Sequence, residues 1–369
     1  MILKTREFQE ICKGILEAVD ETNNQAVTET LELKVESGKM YLSVTNQEYF
    51  ITVSLDVNTE ETIKAVISAS LFLKLVSKIT TEEIGITMSD NALVVNGNGT
   101  YKFPLIFDGD KLLELPRIKI DEVTNDFVIS TEILQDILKY NTKELQKSGI
   151  RMPVHKMFYV DEQGAITYGS GACVTSFTLN QPVKLLLSEK LVKLFKLFTS
   201  DSVAFKVGFS QIANFTQTRI KLQNDNIELT AILDSDPAKL NSVPAPVIRS
   251  IANTQYENKV IFNKQAVLDA LNRLSIFAKK DVVTLYTYLE FTETSLIIYD
   301  TRKENHEEIT LDQSNVEGTY MCILNTNDFK TTLETQRDDV VTMRFGNHKS
   351  VTVDSRPKVK IVLPECKLN

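Results

Sequence analysis

Tryptophan is absent from the 369 residues, and glycine and proline are scarce at 13 and 9. That scarcity excludes collagen-like, mucin-like and low-complexity chains. Without tryptophan, a sugar-stacking platform loses its best aromatic face. The four cysteines, Cys12, Cys173, Cys322 and Cys366, lie far apart with no CxxC pair. Such spacing suits free thiols in a reducing cytoplasm, not a disulfide frame or a zinc site. Only three histidines occur, His155, His306 and His348, without metal-ligand spacing, and there is no GxSxG, HExxH or GxxxxGK[ST]. Both NGNGT (Asn96 to Thr100) and GSGA (Gly169 to Ala172) lie between strand-like runs, so they read as hairpin turns, not phosphate cradles. No apolar run approaches the ~20 residues that span a bilayer. The opening MILKTREFQEICKGILEAV alternates charge with apolar residues and lacks a signal-peptide core. These absences lead to the expectation of a cytoplasmic, non-membrane binding protein, not an enzyme, with no cofactor and no metal.

What is present is a repeat. A hydrophobic content of 43% and a charged content of 24% are those of a globular chain, long enough for two or three cores. Six amphipathic helices are predicted, starting near residues 5, 69, 131, 189, 264 and 327. Their apolar stripes are Phe8/Ile11/Ile15/Val19, Leu71/Leu75/Ile79, Ile133/Leu134/Ile137/Leu138, Leu191/Leu194/Phe195/Phe198, Val267/Leu271/Leu274 and Phe329/Leu333. Ser68 or Ser70, Ser130 or Thr131, Ser188 and Asn263 are the candidate N-caps. Between the helices lie alternating runs such as LELKVESGKMYLSVT and VVTMRFGNHKSVTVD, with hairpin residues at SGK, SDN, QNDN and GNHK. A recurring unit of one helix plus antiparallel strands means copies of one supersecondary module. Paired, the modules give an α+β chain of three similar domains, 1–120, 121–245 and 246–369. Low-order seams are expected at Leu115 to Asp126 and at Asp234 to Gln255.

Charge is distributed unevenly over this frame. The chain carries −8 in total, yet the six helix windows sum to +5 and the remainder to −13. Lysines and arginines gather on helices, although a solvated lysine face on any single helix would look the same. Segregation over several repeats of an acidic chain is less readily explained in that way.

Six helix-plus-strands units over this length resemble the bacterial-type DNA polymerase sliding clamp, the beta subunit. Local likeness lies in MILKTREFQEICKGIL, in YKFPLI (Tyr101 to Ile106), in NKQAVLDALNRLSIF and in the closing IVLPECKL. The chain would be a divergent member, of cellular or phage origin. One departure is GSGACV (Gly169 to Val174), with Ala172 and Cys173 where the family usually carries His and Arg.

The resemblance implies a homodimeric ring around duplex DNA that tethers a DNA polymerase and is opened by a clamp loader. It places DNA-facing cations at Lys74, Lys78, Lys139, Lys143, Lys147, Arg151, Lys193, Lys196, Arg273, Lys279 and Lys280. A peptide groove would be built from Val154, Gly169, Gly171, Val174, Pro246, Ile251, Ser350, Ile361, Leu363 and Pro364. Ring closure would use Phe103 and Leu105 on one side, Leu274 and Ile276 on the other, although burial in their own domains would also explain all four. The rival expectation is a structural β-rich repeat protein of a virion or another assembly.

Overall fold

The structure, a computed structural model, describes residues 1–19, 25–145, 153–212, 215–277 and 285–367. Among them nine α-helical segments occur: α1 (Thr5–Leu16), α2 (Ala69–Val76), α3 (Thr131–Asp136), α4 (Thr142–Leu145), α5 (Glu189–Lys193), α6 (Pro237–Ser242), α7 (Ala245–Ala252), α8 (Lys264–Leu274) and α9 (Thr326–Thr335). A π-helical turn, Ile137–Asn141, joins α3 to α4. None is long and apolar enough to cross a membrane.

Two compact units result. The first comprises Met1–Leu134 with Lys193–Asp234, the second Gln135–Val192 with Ser235–Asn369. The middle sequence domain is therefore shared between them.

In the first unit an eight-stranded antiparallel sheet runs from Glu122–Ser130 at one edge to Ile63–Ser68 at the other. Its two halves come from distant sequence and meet where Ile227–Ile232 pairs with Tyr49–Asp56, Leu229 opposite Ile51. A four-stranded sheet ends at the edge strand Thr100–Pro104. Helices α1 and α2 pack together through Phe8 and Phe72, whose rings meet edge-on at 6.2 Å.

Of the expected α2 stripe, Ile79, just past the helix end, is buried, but within the helix the buried face is out of phase by one residue. Ala69, Phe72, Leu73 and Val76 are buried, whereas Leu71 is 66% exposed. ASLFLKLV is apolar almost all round, so periodicity alone admits both phases, and the helix takes the one that buries phenylalanine.

The second unit holds a nine-stranded sheet and a four-stranded sheet ending at His306–Thr310. The strand Val359–Pro364 is interior to the larger sheet, pairing with Ala172–Ser176 on one side and Ser350–Arg356 on the other. Helix α8 starts as predicted, with the Asn263 side chain accepting from Ala266 N at 3.0 Å and Val267, Leu271 and Leu274 buried.

The seam expected at Asp234 to Gln255 is not low in order; it folds into α6 and α7. Asp236 caps α6 by accepting from Ala238 N at 2.9 Å, with Pro237 in the first turn. In α7, Ala245, Ile248 and Ala252 are buried on one face.

Candidate functional site

An apolar groove of about 250 Å³ opens in the second unit between α7 and the paired strands Ala172–Ser176 and Val359–Pro364. Tyr168, Ser170, Gly171, Ala172, Ile248, Ile251, Lys349, Ser350, Val362 and Pro364 line it. Beneath lies a closed apolar cluster that includes Val154, Val174, Ile166, Leu186, Ala245 and Val362.

Both walls are buttressed. His155 meets the Tyr168 ring edge-on at 4.7 Å, and burial raises the Tyr168 phenol above its ordinary range. Opposite, the Tyr256 hydroxyl and Ser350 Oγ lie 3.0 Å apart, and His348 packs edge-on against Tyr256 at 5.7 Å. A concave apolar slot with a single lysine and a few hydroxyls suits a short apolar side-chain anchor.

The expected groove residues separate into three groups. Gly171, Ile251, Ser350 and Pro364 line the groove, while Val154 and Val174 form its floor. Pro246 lies on the other side of α7, in a polar cleft with Asp161 and Arg249, and Gly169 lines neither space. Ile361 and Leu363 require correction. Strand alternation turns them away: Ile361 packs with Tyr140 and Cys173, and Leu363 enters the core around α8 and α9. Val362, between them, is the residue that faces the groove. Glycine at 171 is needed for close approach, since a Cβ there would stand 2.4 Å from the Val362 carbonyl oxygen.

The predicted cations differ in their surroundings. Lys74, Lys78, Lys143 and Lys193 are exposed. Lys196 pairs with Glu17, and burial followed by the nearby Lys13 lowers its ammonium pKa. Arg273 forms a two-pronged bond to Glu307, at 2.8 and 2.6 Å, so its charge is already matched. Lys139 is half-buried on the π turn, 5.4 Å from the Tyr140 ring centroid. Lys147, Arg151, Lys279 and Lys280 lie outside the described residues.

Of the four residues expected at ring closure, Phe103 is buried and packs edge-on against Phe72 at 5.4 Å, with Leu105 half-exposed behind it. Leu274 is 6% exposed in its own core, whereas Ile276 and Phe277 are 78% and 51% exposed. The exposed apolar side chains at this end are thus Ile276 and Phe277, not Leu274. Each unit also presents an edge strand, Thr100–Pro104 in one and His306–Thr310 in the other.

Residues 1–109 match the family model of the DNA polymerase III beta subunit, N-terminal domain. No curated protein matches. The chain is similar over its whole length to solved structures. Against the DNA polymerase III subunit beta of Pseudomonas aeruginosa the TM-score is 0.77 at 14% identity, covering 100% of both chains. Against the beta subunit of Thermotoga maritima it is 0.75 at 14%, covering 100% of this chain and 99% of that one. The DNA polymerase sliding clamp of Bacillus subtilis gives 0.74 at 13%, with the same coverage. The chain therefore has, from end to end, the fold of the bacterial DNA polymerase III beta clamps, and its first 109 residues match that family's own N-terminal domain.

Proposed function

We propose that this protein is a DNA sliding clamp. Two copies join head to tail into a ring around duplex DNA, and the ring tethers a replicative polymerase. The observation that carries the reading is the clamp fold over the full length of the chain, with 100% of it aligned. Its three domains would be 1–120, 121–245 and 246–369, the middle one contributing to both compact units.

The work of such a ring is topological; no bond is made or broken, and the protein acts in the cytoplasm without cofactor or metal. Lysines on the helices attract phosphates in a manner that is independent of sequence and weakened by salt, which permits sliding. The exposed Lys74, Lys78, Lys143 and Lys193 suit that role best, with Lys147, Arg151, Lys279 and Lys280 proposed on sequence grounds alone. The acidic remainder of the chain discourages DNA from adhering elsewhere. The groove beside α7 takes a short linear peptide from the polymerase and from the clamp loader, anchored by one or two apolar side chains.

The mass and shape of the assembled particle test this reading. Sedimentation should give a dimer of twice 41.7 kDa, and particle images should show a ring with six pseudo-equivalent lobes. A monomer at micromolar concentration, or an open filament, would overturn it.

A further inference from the structure

We propose that the buried ion pair of Arg249 with Asp161 sets the position of α7, and with it the geometry of the apolar groove. Both are then positioning residues for the peptide that the groove takes, which rests on the clamp reading. Arg249 is on α7, and Asp161 ends the strand Met157–Asp161 of the nine-stranded sheet. The guanidinium grips the carboxylate through two nitrogens, Nη1 to Oδ2 at 2.8 Å and Nη2 to Oδ1 at 2.5 Å. The two side chains are 14% and 7% exposed and meet in the polar cleft, on the side of α7 away from the groove. The carboxylate is itself held, since the Gln163 backbone N–H donates to Oδ1 at 2.9 Å.

The groove depends on where α7 lies, because Ile248 and Ile251 form its helical wall while Tyr168, Ala172 and Val362 come from the sheet. Apolar burial alone holds this helix loosely in angle. Its seat is Ala245, Ile248 and Ala252, two of them alanines, and hydrophobic contact has no preferred direction. At the far end Asn253 Oδ1 accepts from Lys360 Nζ at 3.0 Å, a single exposed bond to the strand Val359–Pro364. A planar, two-pronged guanidinium–carboxylate pair fixes both distance and angle. Buried pairs of this kind add little net stability over apolar residues of similar volume, so what this one supplies is registry. Without it, a turn of α7 would carry Ile251 toward or away from Val362 and change the width of the slot.

The test removes both partners at once, as Arg249→Met with Asp161→Leu in the full chain. No charge is left unpaired, so the melting temperature should stay within a few degrees of wild type. Two readouts follow: anisotropy of a fluorescein-labelled octapeptide with a central pair of leucines, and hydrogen exchange of the Ile248 to Ala252 amides. The double variant should bind the peptide at least about tenfold more weakly, and those amides should exchange at least about tenfold faster. A pair that only stabilised the fold would change neither at an unchanged melting temperature. Arg249→Lys keeps the charge but loses the fork, and should weaken binding at least about threefold; it decides the matter if the double variant does not fold. Wild-type affinity in a folded variant, or unchanged exchange, overturns the positioning role and leaves the groove reading standing. Faster exchange in the variant, with no peptide binding by the wild type, overturns the groove reading and keeps the pair as the device that holds α7.

Discussion

Ala172 and Val362 stand opposite one another on paired strands and both line the groove, while Leu363, one residue further, is sunk in the core on the other side. The groove is thus a property of one face of a sheet, and which residue is substituted decides whether binding or folding fails.

Ile251 is 37% exposed at the groove rim. Ile251→Asp should leave thermal stability within a few degrees of wild type and weaken a labelled apolar-anchored peptide at least about tenfold. Leu363→Asp should instead unfold the second unit, because it buries an unpaired charge at a cost of ~3–5 kcal/mol. Anisotropy and calorimetry on the two variants check this. A stable Leu363→Asp protein that has lost only peptide binding would return that residue to the groove.

Two neighbouring glycines make a paired test of packing. Gly171→Ala must push the Val362 carbonyl away from 2.4 Å, whereas nothing lies within 4 Å of a Cβ at Gly169. Denaturant melts should show a loss of ~1–3 kcal/mol for the first and less than ~0.5 kcal/mol for the second. Equal losses would refute the close-approach argument.

The segment after Pro364 is tied to the sheet. Glu365 N donates to the Lys349 carbonyl at 3.1 Å, and Cys366 N donates to Ile323 at 2.8 Å. Truncation after Pro364 should therefore cost about 2 kcal/mol, two backbone bonds at about 1 kcal/mol each. Burial raises the Glu365 carboxyl above its ordinary 4.5, despite the opposing bond from Tyr320. Its ionisation is harder in the folded protein, so stability should decline as pH rises from below 4.5 through that raised value. Glu365→Gln should abolish the decline; a melt series across that window with no difference between the proteins would contradict it.

At the proposed ring seam, Ile276→Asp places charge on a side chain that is 78% exposed, while Leu274→Asp places it in a core. The first should yield folded monomers and the second an unfolded domain. Sedimentation at nanomolar concentration distinguishes them; a dimeric Ile276→Asp protein would move the seam elsewhere.

Much of this architecture was legible locally. Asn263 announced its helix because a cap and an apolar stripe act within one turn, and hairpins such as Asn96 to Thr100 follow from turn chemistry. Other features were hidden for identifiable reasons. Ile361, Val362 and Leu363 are three consecutive apolar residues, so period-two alternation could not say which faces outward. The π turn at Ile137–Asn141 is held by Thr167, Cys173 and Thr175, partners remote in sequence. The prolines of α6 and α7 give that stretch the look of a linker, although the Asp236-Pro237 start and the spacing of Ala245, Ile248 and Ala252 are helix signals. Ion pairing such as Arg273 with Glu307 needs the fold itself before a lysine or arginine can be judged available.

The central claim, encirclement, is tested most directly by comparing retention on closed and open DNA. Protein loaded on nicked circular duplex is passed through a sizing column at moderate salt, before and after a single cut that linearises the circle. A clamp stays with the circle and is lost from the linear product, because its hold is topological and its phosphate contacts are individually weak. Equal retention on both forms would mean ordinary groove or backbone binding, and would contradict the account.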